Sequence, residues 1–319
     1  MIPAKSLVGW TILAVFGPFL CAAQTARDAS IDLGGYRVHI SESGSGAPAV
    51  IFEAGLGEDL ATWANVQPQV ARFARTIAYD RPGLGKSDPS PHPRTVQQMA
   101  AELHSLLHAA KVAPPYVLVG HSLGGTIVQV FAHLYPSEVT GLVLVDPGDG
   151  RLDDMLRAHL TASDWASRQK AMDQALPNMP AAVRAELDAY KKSGKYADEA
   201  LPLPKVPVVL LTGTKKNPEF PGNPLEQDLK LELHRALLAK IPHSKHVLVP
   251  NSRHYIQNDA PALVIEAVRD IASHSISGFR FKNALNRSVA KNTPPLLHSA
   301  DSFPCSIMNA RNARLIRVW

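Results

Sequence analysis

The sequence contains little cysteine, few aromatic residues and a modest amount of charge. Its only cysteines are Cys21 and Cys305, so we expect neither a disulfide framework nor a zinc site. Aromatic residues form 6% and charged residues 19% of the 319 residues, whereas hydrophobic residues form 45%. A hydrophobic fraction of this size excludes an intrinsically disordered chain and a collagen-like repeat, and it is sufficient for a sizeable core.

The net charge of +5 comes from the C-terminal end of the chain. Residues 273–319 contain seven lysines and arginines against one acid, Asp301, so this segment carries +6 and the rest of the chain −1. The segment has no sustained periodicity, and we expect it to be a poorly ordered basic tail. Because no aromatic residues are interleaved with its basic residues, we expect no nucleic-acid partner.

The first 23 residues are typical of a secretory signal peptide. Lys5 precedes an uncharged stretch from Leu7 to Leu20, and small residues occupy the −3 and −1 positions of a cleavage site after Ala23. We therefore expect an exported protein, periplasmic or secreted, that begins at Gln24. An uncleaved membrane anchor is the alternative, although the apolar run is shorter than the roughly 20 residues that a spanning helix needs.

Between these two ends, short apolar strands alternate with amphipathic helices. The pattern predicts strands at 31–40 (a hairpin), 49–52, 76–79, 116–119, 142–145, 206–211 and 246–249. It predicts helices at 63–73, 96–110, 123–134, 225–241 and 261–271. Continuously apolar strands that are each followed by a helix indicate an α/β fold with a mostly parallel, doubly wound sheet.

Residues 147–205 interrupt the alternation. They contain amphipathic stretches at 152–160, 165–176 and 181–191 but no convincing strand. A connection of this length is too long for a plain loop. We therefore predict a helical cap at 147–205, inserted into a core that consists of residues 24–146 and 206–272.

A candidate nucleophile lies in the segment Gly120-His121-Ser122-Leu123-Gly124, which fits the pattern G-x-S-x-G. A predicted buried strand runs into this segment and a predicted helix follows it, which is the context that a nucleophile elbow requires. The glycines leave room for a sharp turn, and the turn lifts the serine hydroxyl to the start of a helix, where backbone N–H groups favour negative charge. Ser122 is therefore the predicted nucleophile.

With this elbow, the sequence resembles the α/β-hydrolase fold family, in particular its serine hydrolase and esterase branch. The resemblance extends from Ile31 to Ala272 and rests on four segments: 53–57, 79–87, 120–124 and 252–255. It implies an α/β-hydrolase fold and an oxyanion hole formed by the backbone N–H groups of Leu56 and Leu123. Two preoriented donors of this kind stabilise a tetrahedral oxyanion by several kcal/mol.

The predicted base is His254. It follows the last predicted strand by a short loop and precedes the final helix, which places it at the carboxyl edge of the sheet. The family's chain order of serine, acid and histidine agrees with this position. His121 is predicted to pack near the turn, and the spacing of His243 and His246 does not predict a metal site, because no acid or cysteine lies nearby in the sequence.

The acid is less directly indicated. Relatives usually carry it after the penultimate strand, where this sequence has Lys216. Asp146, at the end of the strand 142–145, is the predicted acid, because a minority of the family places its carboxylate there and the position can still reach a histidine Nδ1. Glu219 and Asp149 are the alternatives.

From these residues we predict a cofactor-free serine hydrolase with Ser122, His254 and Asp146 as its triad. We expect it to cleave carboxylic esters of small molecules through an acyl-enzyme. No dinucleotide or Walker motif follows any strand, and no metal is expected. A lactonase, an amidase or a C–C bond hydrolase could use the same triad. A catalytically inactive relative that binds a ligand under its cap is an alternative of a different class.

Overall fold

The computed structural model describes residues 26–216 and 223–274. The predicted signal peptide, the alternative acid Glu219, both cysteines and the predicted tail beyond residue 274 lie outside the described residues. Within the described residues, no helix combines the length and the hydropathy needed to cross a membrane.

The centre of the fold is one sheet of eight strands in the order β1-β2-β4-β3-β5-β6-β7-β8. The strands are β1 Arg27–Asp32, β2 Arg37–Ser43, β3 Ala49–Glu53, β4 Thr76–Tyr79, β5 Tyr116–His121, β6 Val139–Val145, β7 Val208–Gly213 and β8 Ser244–Val249. The first two form an antiparallel hairpin at one edge, β2 pairs antiparallel with β4, and all other pairs are parallel. The predicted fold class, a mostly parallel α/β sheet, is confirmed.

Ten helices are present in the described residues. They are α1 Gln67–Val70, α2 Val96–Ala109, α3 Leu123–Leu134, α4 Arg151–His159, α5 Ala162–Ala175, α6 Ala181–Lys191, α7 Ser193–Glu199, α8 Asn223–Ala239, α9 Ile256–Asp259 and α10 Pro261–His274. Four of them, α4 to α7, lie in the segment 147–205 between β6 and β7, and no strand interrupts them.

Two hydrophobic layers cover the two faces of the sheet. Along β3, Ile51 joins the layer that contains Leu103 of α2, whereas Phe52 joins the layer that contains Val264 of α10. Neighbouring residues of a strand point to opposite faces of the sheet. A strand whose successive residues are apolar is therefore covered by a hydrophobic layer on both faces. Helices therefore flank the sheet on both faces, and the carboxyl ends of its parallel strands remain available for a site.

The helix predicted at 63–73 is only partly present. The structure has a short 3₁₀ turn at Leu60–Trp63 and then the four-residue α1. Pro68 accounts for the late start of the α-helix, because proline has no N–H to donate to the preceding turn and is tolerated in the first turn of a helix. The residue before it, Gln67, begins α1, and its side chain donates to the backbone carbonyl of Ser41 at 2.9 Å.

Candidate active site

The segment around Ser122 forms a sharp strand-to-helix turn. The strand β5 ends at His121, α3 begins at Leu123, and Ser122 between them has φ 51° and ψ −122°. A non-glycine residue in this region of backbone space is strained, and such strain is typical of functional sites. A Cβ atom at Gly124 would lie 2.5 Å from the carbonyl oxygen of Ala54, so only glycine fits this approach.

The backbone of Ser122 is held from two sides. Its N–H donates to the carbonyl oxygen of Val145 at 3.2 Å, and its own carbonyl accepts from the N–H groups of Gly125 and Gly148, each at 2.9 Å. Val145 is the last residue of β6, directly before Asp146. The turn that presents the serine is therefore fixed to the strand end that presents the predicted acid.

His254 lies against the same strand ends. Its Nδ1 is 2.8 Å from Oδ2 of Asp146, and its carbonyl oxygen accepts from Nε2 of His121 at 3.1 Å. The rings of His254 and His121 are 4.6 Å apart, centroid to centroid. Because an ionised Asp146 requires a proton on Nδ1, the neutral ring of His254 keeps Nε2 free to accept a proton.

Asp146 is completely buried and fully hydrogen bonded. Its Oδ1 accepts the N–H of Gly213 at 2.8 Å, and its Oδ2 accepts from Nζ of Lys230 at 2.7 Å as well as from His254. We call Asp146, Lys230 and His254 the Asp146 cluster. Burial opposes ionisation, but Lys230 and the bond from His254 outweigh it, so the pKa of Asp146 lies well below its ordinary value.

The environment of His254 favours its neutral form. Burial lowers the pKa of His254, the hydrogen bond and charge of Asp146 act in the opposite direction, and the nearby charges of His121 and Lys230 lower the pKa further. The net direction is downward. A base with a lowered pKa is unprotonated at neutral pH, which a general base requires.

His121 was predicted only to pack near the turn, but in the structure it also contacts two loops. Its ring is fully buried, and its two nitrogens face the carbonyl of His254 and Oε2 of Glu58, the latter at 3.0 Å. Burial opposes ionisation of Glu58, but the charge and hydrogen bond of His121 and the N–H of Gly55 lower the pKa of Glu58 to about 2. His121 thus connects the elbow, the loop that carries His254, and the loop after β3.

The loop after β3 carries one of the two predicted oxyanion donors, the N–H of Leu56. Within the described residues, neither this N–H nor that of Leu123 is paired with a protein acceptor. The N–H of Leu123 opens α3, where the partial positive charge of the helix end is located. Unpaired amide donors of this kind can receive a developing oxyanion.

A second ion cluster holds this loop. Arg81, which is 1% exposed, donates to Oε1 of Glu53 at 2.7 Å and to both carboxylate oxygens of Glu186 at 2.7 and 2.8 Å. It also donates to the backbone carbonyls of Ala54 at 2.7 Å and Gly55 at 2.5 Å. We call Glu53, Arg81 and Glu186 the Arg81 cluster.

The Arg81 cluster also connects the loop to the helical insertion. Glu186 belongs to α6, and its Oε2 accepts the N–H of Gly57 at 2.9 Å. A guanidinium can form this many directed bonds because its five donors lie in one plane. The position of the loop before and after Leu56 is therefore set by residues from β3, from the loop after β4 and from the insertion.

The other candidate acids and histidines have different partners. Asp149 binds Arg151 at 2.9 Å, and Lys216, at the family's usual acid position, pairs with Asp228 at 2.7 Å. His246 contacts the hydroxyl of Thr212 at 2.7 Å. None of these pairs involves His254, so Asp146 is the acid that the described residues bring to it.

Sequence reasoning missed three of the charged residues that surround these side chains: Lys230, Glu186 and Glu58. Lys230 lies 84 residues from Asp146 along the chain, and Glu186 lies 105 residues from Arg81. Long-range pairs of this kind leave no local pattern. The one available signal was Arg81 itself, an arginine inside the family-like segment 79–87.

Comparison with known proteins agrees with the fold. The alpha/beta hydrolase fold family matches residues 48–205 of the chain. The uncharacterized protein YqjL of Bacillus subtilis is 30% identical over 235 residues, which span 72% of this chain and 85% of YqjL. The chain belongs to the alpha/beta hydrolase fold family.

Solved structures show the same fold. An esterase from Thermogutta terrifontis superposes with a TM-score of 0.56 at 21% identity, covering 78% of this chain and 99% of the esterase. The epoxide hydrolase CorEH superposes with a TM-score of 0.57 at 20% identity, covering 78% and 99%. The two enzymes are named for different reactions, so the reaction of this chain must be argued from its own site.

Proposed function

We propose that the protein is a cofactor-free serine hydrolase that cleaves carboxylic esters of small molecules through an acyl-enzyme. The observation that carries this proposal is the hydrogen bond of 2.8 Å between His254 and Asp146, beside an elbow that presents Ser122. The esterase among the structural neighbours supports a hydrolase of this type. An epoxide hydrolase needs a carboxylate nucleophile, and a serine stands at the elbow here.

In the first half of the reaction, Oγ of Ser122 attacks the ester carbonyl carbon, and Nε2 of His254 accepts the hydroxyl proton. The imidazolium that forms is stabilised by the carboxylate of Asp146. The negative charge on the former carbonyl oxygen is received by the N–H groups of Leu56 and Leu123. The intermediate then collapses as His254 returns its proton to the leaving alcohol, which leaves an acyl group on Ser122.

In the second half, a water molecule takes the place of the alcohol. His254 removes a proton from the water, the resulting hydroxide attacks the acyl carbon, and the carboxylic acid departs as Ser122 is reprotonated. Lactones and amides can react through the same steps, because only the leaving group differs. Lys230 does not touch the substrate in this scheme, and it acts by keeping Asp146 ionised.

Ester hydrolysis by the Ser122→Ala variant tests the proposal. Purified wild-type protein and variant are compared with p-nitrophenyl esters of increasing acyl chain length. We expect activity to fall by about 10⁴-fold or more, because the residues of a triad act as a unit. Ser105→Ala, at an exposed position on α2, is the matched control and should leave activity unchanged. Retention of most activity in Ser122→Ala would contradict the assignment of the nucleophile. Absence of ester hydrolysis in the wild-type protein would favour the inactive ligand-binding relative.

A further inference from the structure

A group of metal-ligating side chains lies at the end of the sheet opposite the candidate active site. His104 and His108 are one helical turn apart on α2, and Glu138 ends a 3₁₀ turn directly before β6. Asp146 follows the other end of β6. At about 3.3 Å per residue, the strand separates the two carboxylates by about 25 Å. These three residues therefore play no part in the chemistry proposed above.

The ligand atoms of the three side chains converge. Nε2 of His104 is 3.1 Å and Nε2 of His108 is 3.8 Å from Oε1 of Glu138. One ligand atom from each residue lies within 4.8 Å of the other two. Ligands bound to one zinc ion at 2.0–2.2 Å are about 3.3 Å apart, so small side-chain rotations would bring all three into coordination.

The charge of Glu138 is not matched by a permanent cation. Its side chain is 19% exposed, and its ion-pair partners in the described residues are the two histidines, with no lysine or arginine within 4.0 Å. Its Oε2 is buried without a hydrogen-bond partner in the described residues. A carboxylate oxygen that is buried and unpaired is costly, and a bound cation would remove that cost.

One of the two imidazoles is already fixed in place. The ring of His104 stacks on Tyr135 with centroids 3.8 Å apart and planes inclined by 5°, and its side chain is 24% exposed. His108 is 59% exposed and can move towards its neighbours. Because His104 is already fixed, less side-chain entropy is lost when a metal ion binds. Because His108 is exposed, the ion can reach the site from solvent.

We propose that His104, His108 and Glu138 bind one divalent transition-metal ion of the Zn²⁺ type, with two imidazole nitrogens, one carboxylate oxygen and an open position for water. Two nitrogen ligands favour Zn²⁺ over Mg²⁺ or Ca²⁺, which prefer oxygen. The bound ion ties α2 to the start of β6 and so stabilises the folded state by mass action. No metal was expected from the sequence, in which Glu138 lies 34 residues from His104 and so forms no local ligand pattern with it.

Titration of Zn²⁺ into the metal-free, untagged full-length protein tests this site. Isothermal titration calorimetry in a phosphate-free buffer at pH 7.5 should show one saturable site, and Mg²⁺ under the same conditions should give none. A free Zn²⁺ concentration of about a hundred times Kd should raise Tm by about 5 °C. Lowering the pH to 5 should weaken binding, because protons compete for the imidazoles.

Two variants and one control decide the outcome. His108→Ala changes an exposed side chain and should weaken Zn²⁺ binding at least tenfold, and Glu138→Gln, which keeps the side-chain volume, should weaken it as well. His133→Ala removes an exposed histidine of α3 outside the group and should leave binding unchanged. Absence of a saturable site, or equal affinity in wild type and His108→Ala, would overturn the proposal. Ester hydrolysis is not a readout here, so this result is independent of the proposed function.

Discussion

The Asp146 cluster and the Arg81 cluster each centre on a buried charged group and lie beside the nucleophile elbow, but they are built on opposite principles. The Asp146 cluster places one carboxylate between a lysine and a histidine whose Nε2 is free to exchange a proton. The Arg81 cluster places one guanidinium between two carboxylates and contains no histidine. The first arrangement can support proton transfer, and the second holds the chain in position.

The balance of charge differs in the same way. In the Asp146 cluster, Lys230 neutralises the carboxylate, so the acid can stay ionised while the pKa of His254 remains low. In the Arg81 cluster the carboxylates are in excess. Burial raises the pKa of Glu53, and Arg81 and the hydroxyl of Tyr79, which donates to Glu53, only partly offset this effect. The surplus charge is thus shared within a rigid network that also fixes the loop of Leu56.

Among changes to the two clusters, the largest expected effect is that of Asp146→Asn. The neutral amide stabilises neither the required tautomer of His254 nor its imidazolium, so kcat should fall by about 10³ to 10⁴. The same change also leaves Lys230 buried without its partner, which we expect to reduce stability by about 3–5 kcal/mol. Steady-state kinetics and urea unfolding measure the two effects separately.

The double variant Asp146→Asn/Lys230→Met distinguishes the two effects. It should recover much of the stability, because no unpaired charge remains, but none of the activity. Glu219→Gln serves as the control for the alternative acid and should cost little. Loss of activity in Glu219→Gln together with a nearly normal Asp146→Asn would show that the acid has been assigned wrongly.

A smaller effect is expected from Arg81→Lys, which keeps the charge of the Arg81 cluster but not its planar set of donors. The loop of Leu56 would lose several of its anchors, and misplacement of one oxyanion donor costs about 10² in kcat. KM should change less than kcat, because the donor acts mainly in the transition state. A change in KM alone would indicate that the Arg81 cluster shapes substrate binding instead.

The smallest of these effects on rate is expected from Lys230→Met, provided that the rate is measured at alkaline pH. Activity requires neutral His254, so kcat/KM falls as the pH drops through the pKa of His254. Removing the positive charge of Lys230 makes the imidazolium more favourable and raises that pKa, so the acid limb of the profile should move to higher pH, by about one unit. Lys230→Arg should leave the limb in place. An unshifted or downward-shifted limb in Lys230→Met would contradict this role.

The contrast between the two clusters also shows what a sequence can reveal. The elbow could be predicted because a local pattern of glycines, a strand and a helix defines it, and His254 could be predicted from its place after the last strand. Asp146 was less obvious, because it depends on which strand end faces His254. The charged partners Lys230 and Glu186 could not be predicted, since they come from distant helices that only the folded chain brings together.

Covalent labelling of the serine tests the central claim most directly. The wild-type protein is treated with a fluorophosphonate, which reacts with serines activated by a neighbouring base, and the labelled peptide is identified by mass spectrometry. We predict a single adduct on Ser122, formed much more slowly in His254→Ala and absent in Ser122→Ala. Labelling of another serine, or equal labelling rates in wild type and His254→Ala, would contradict the account.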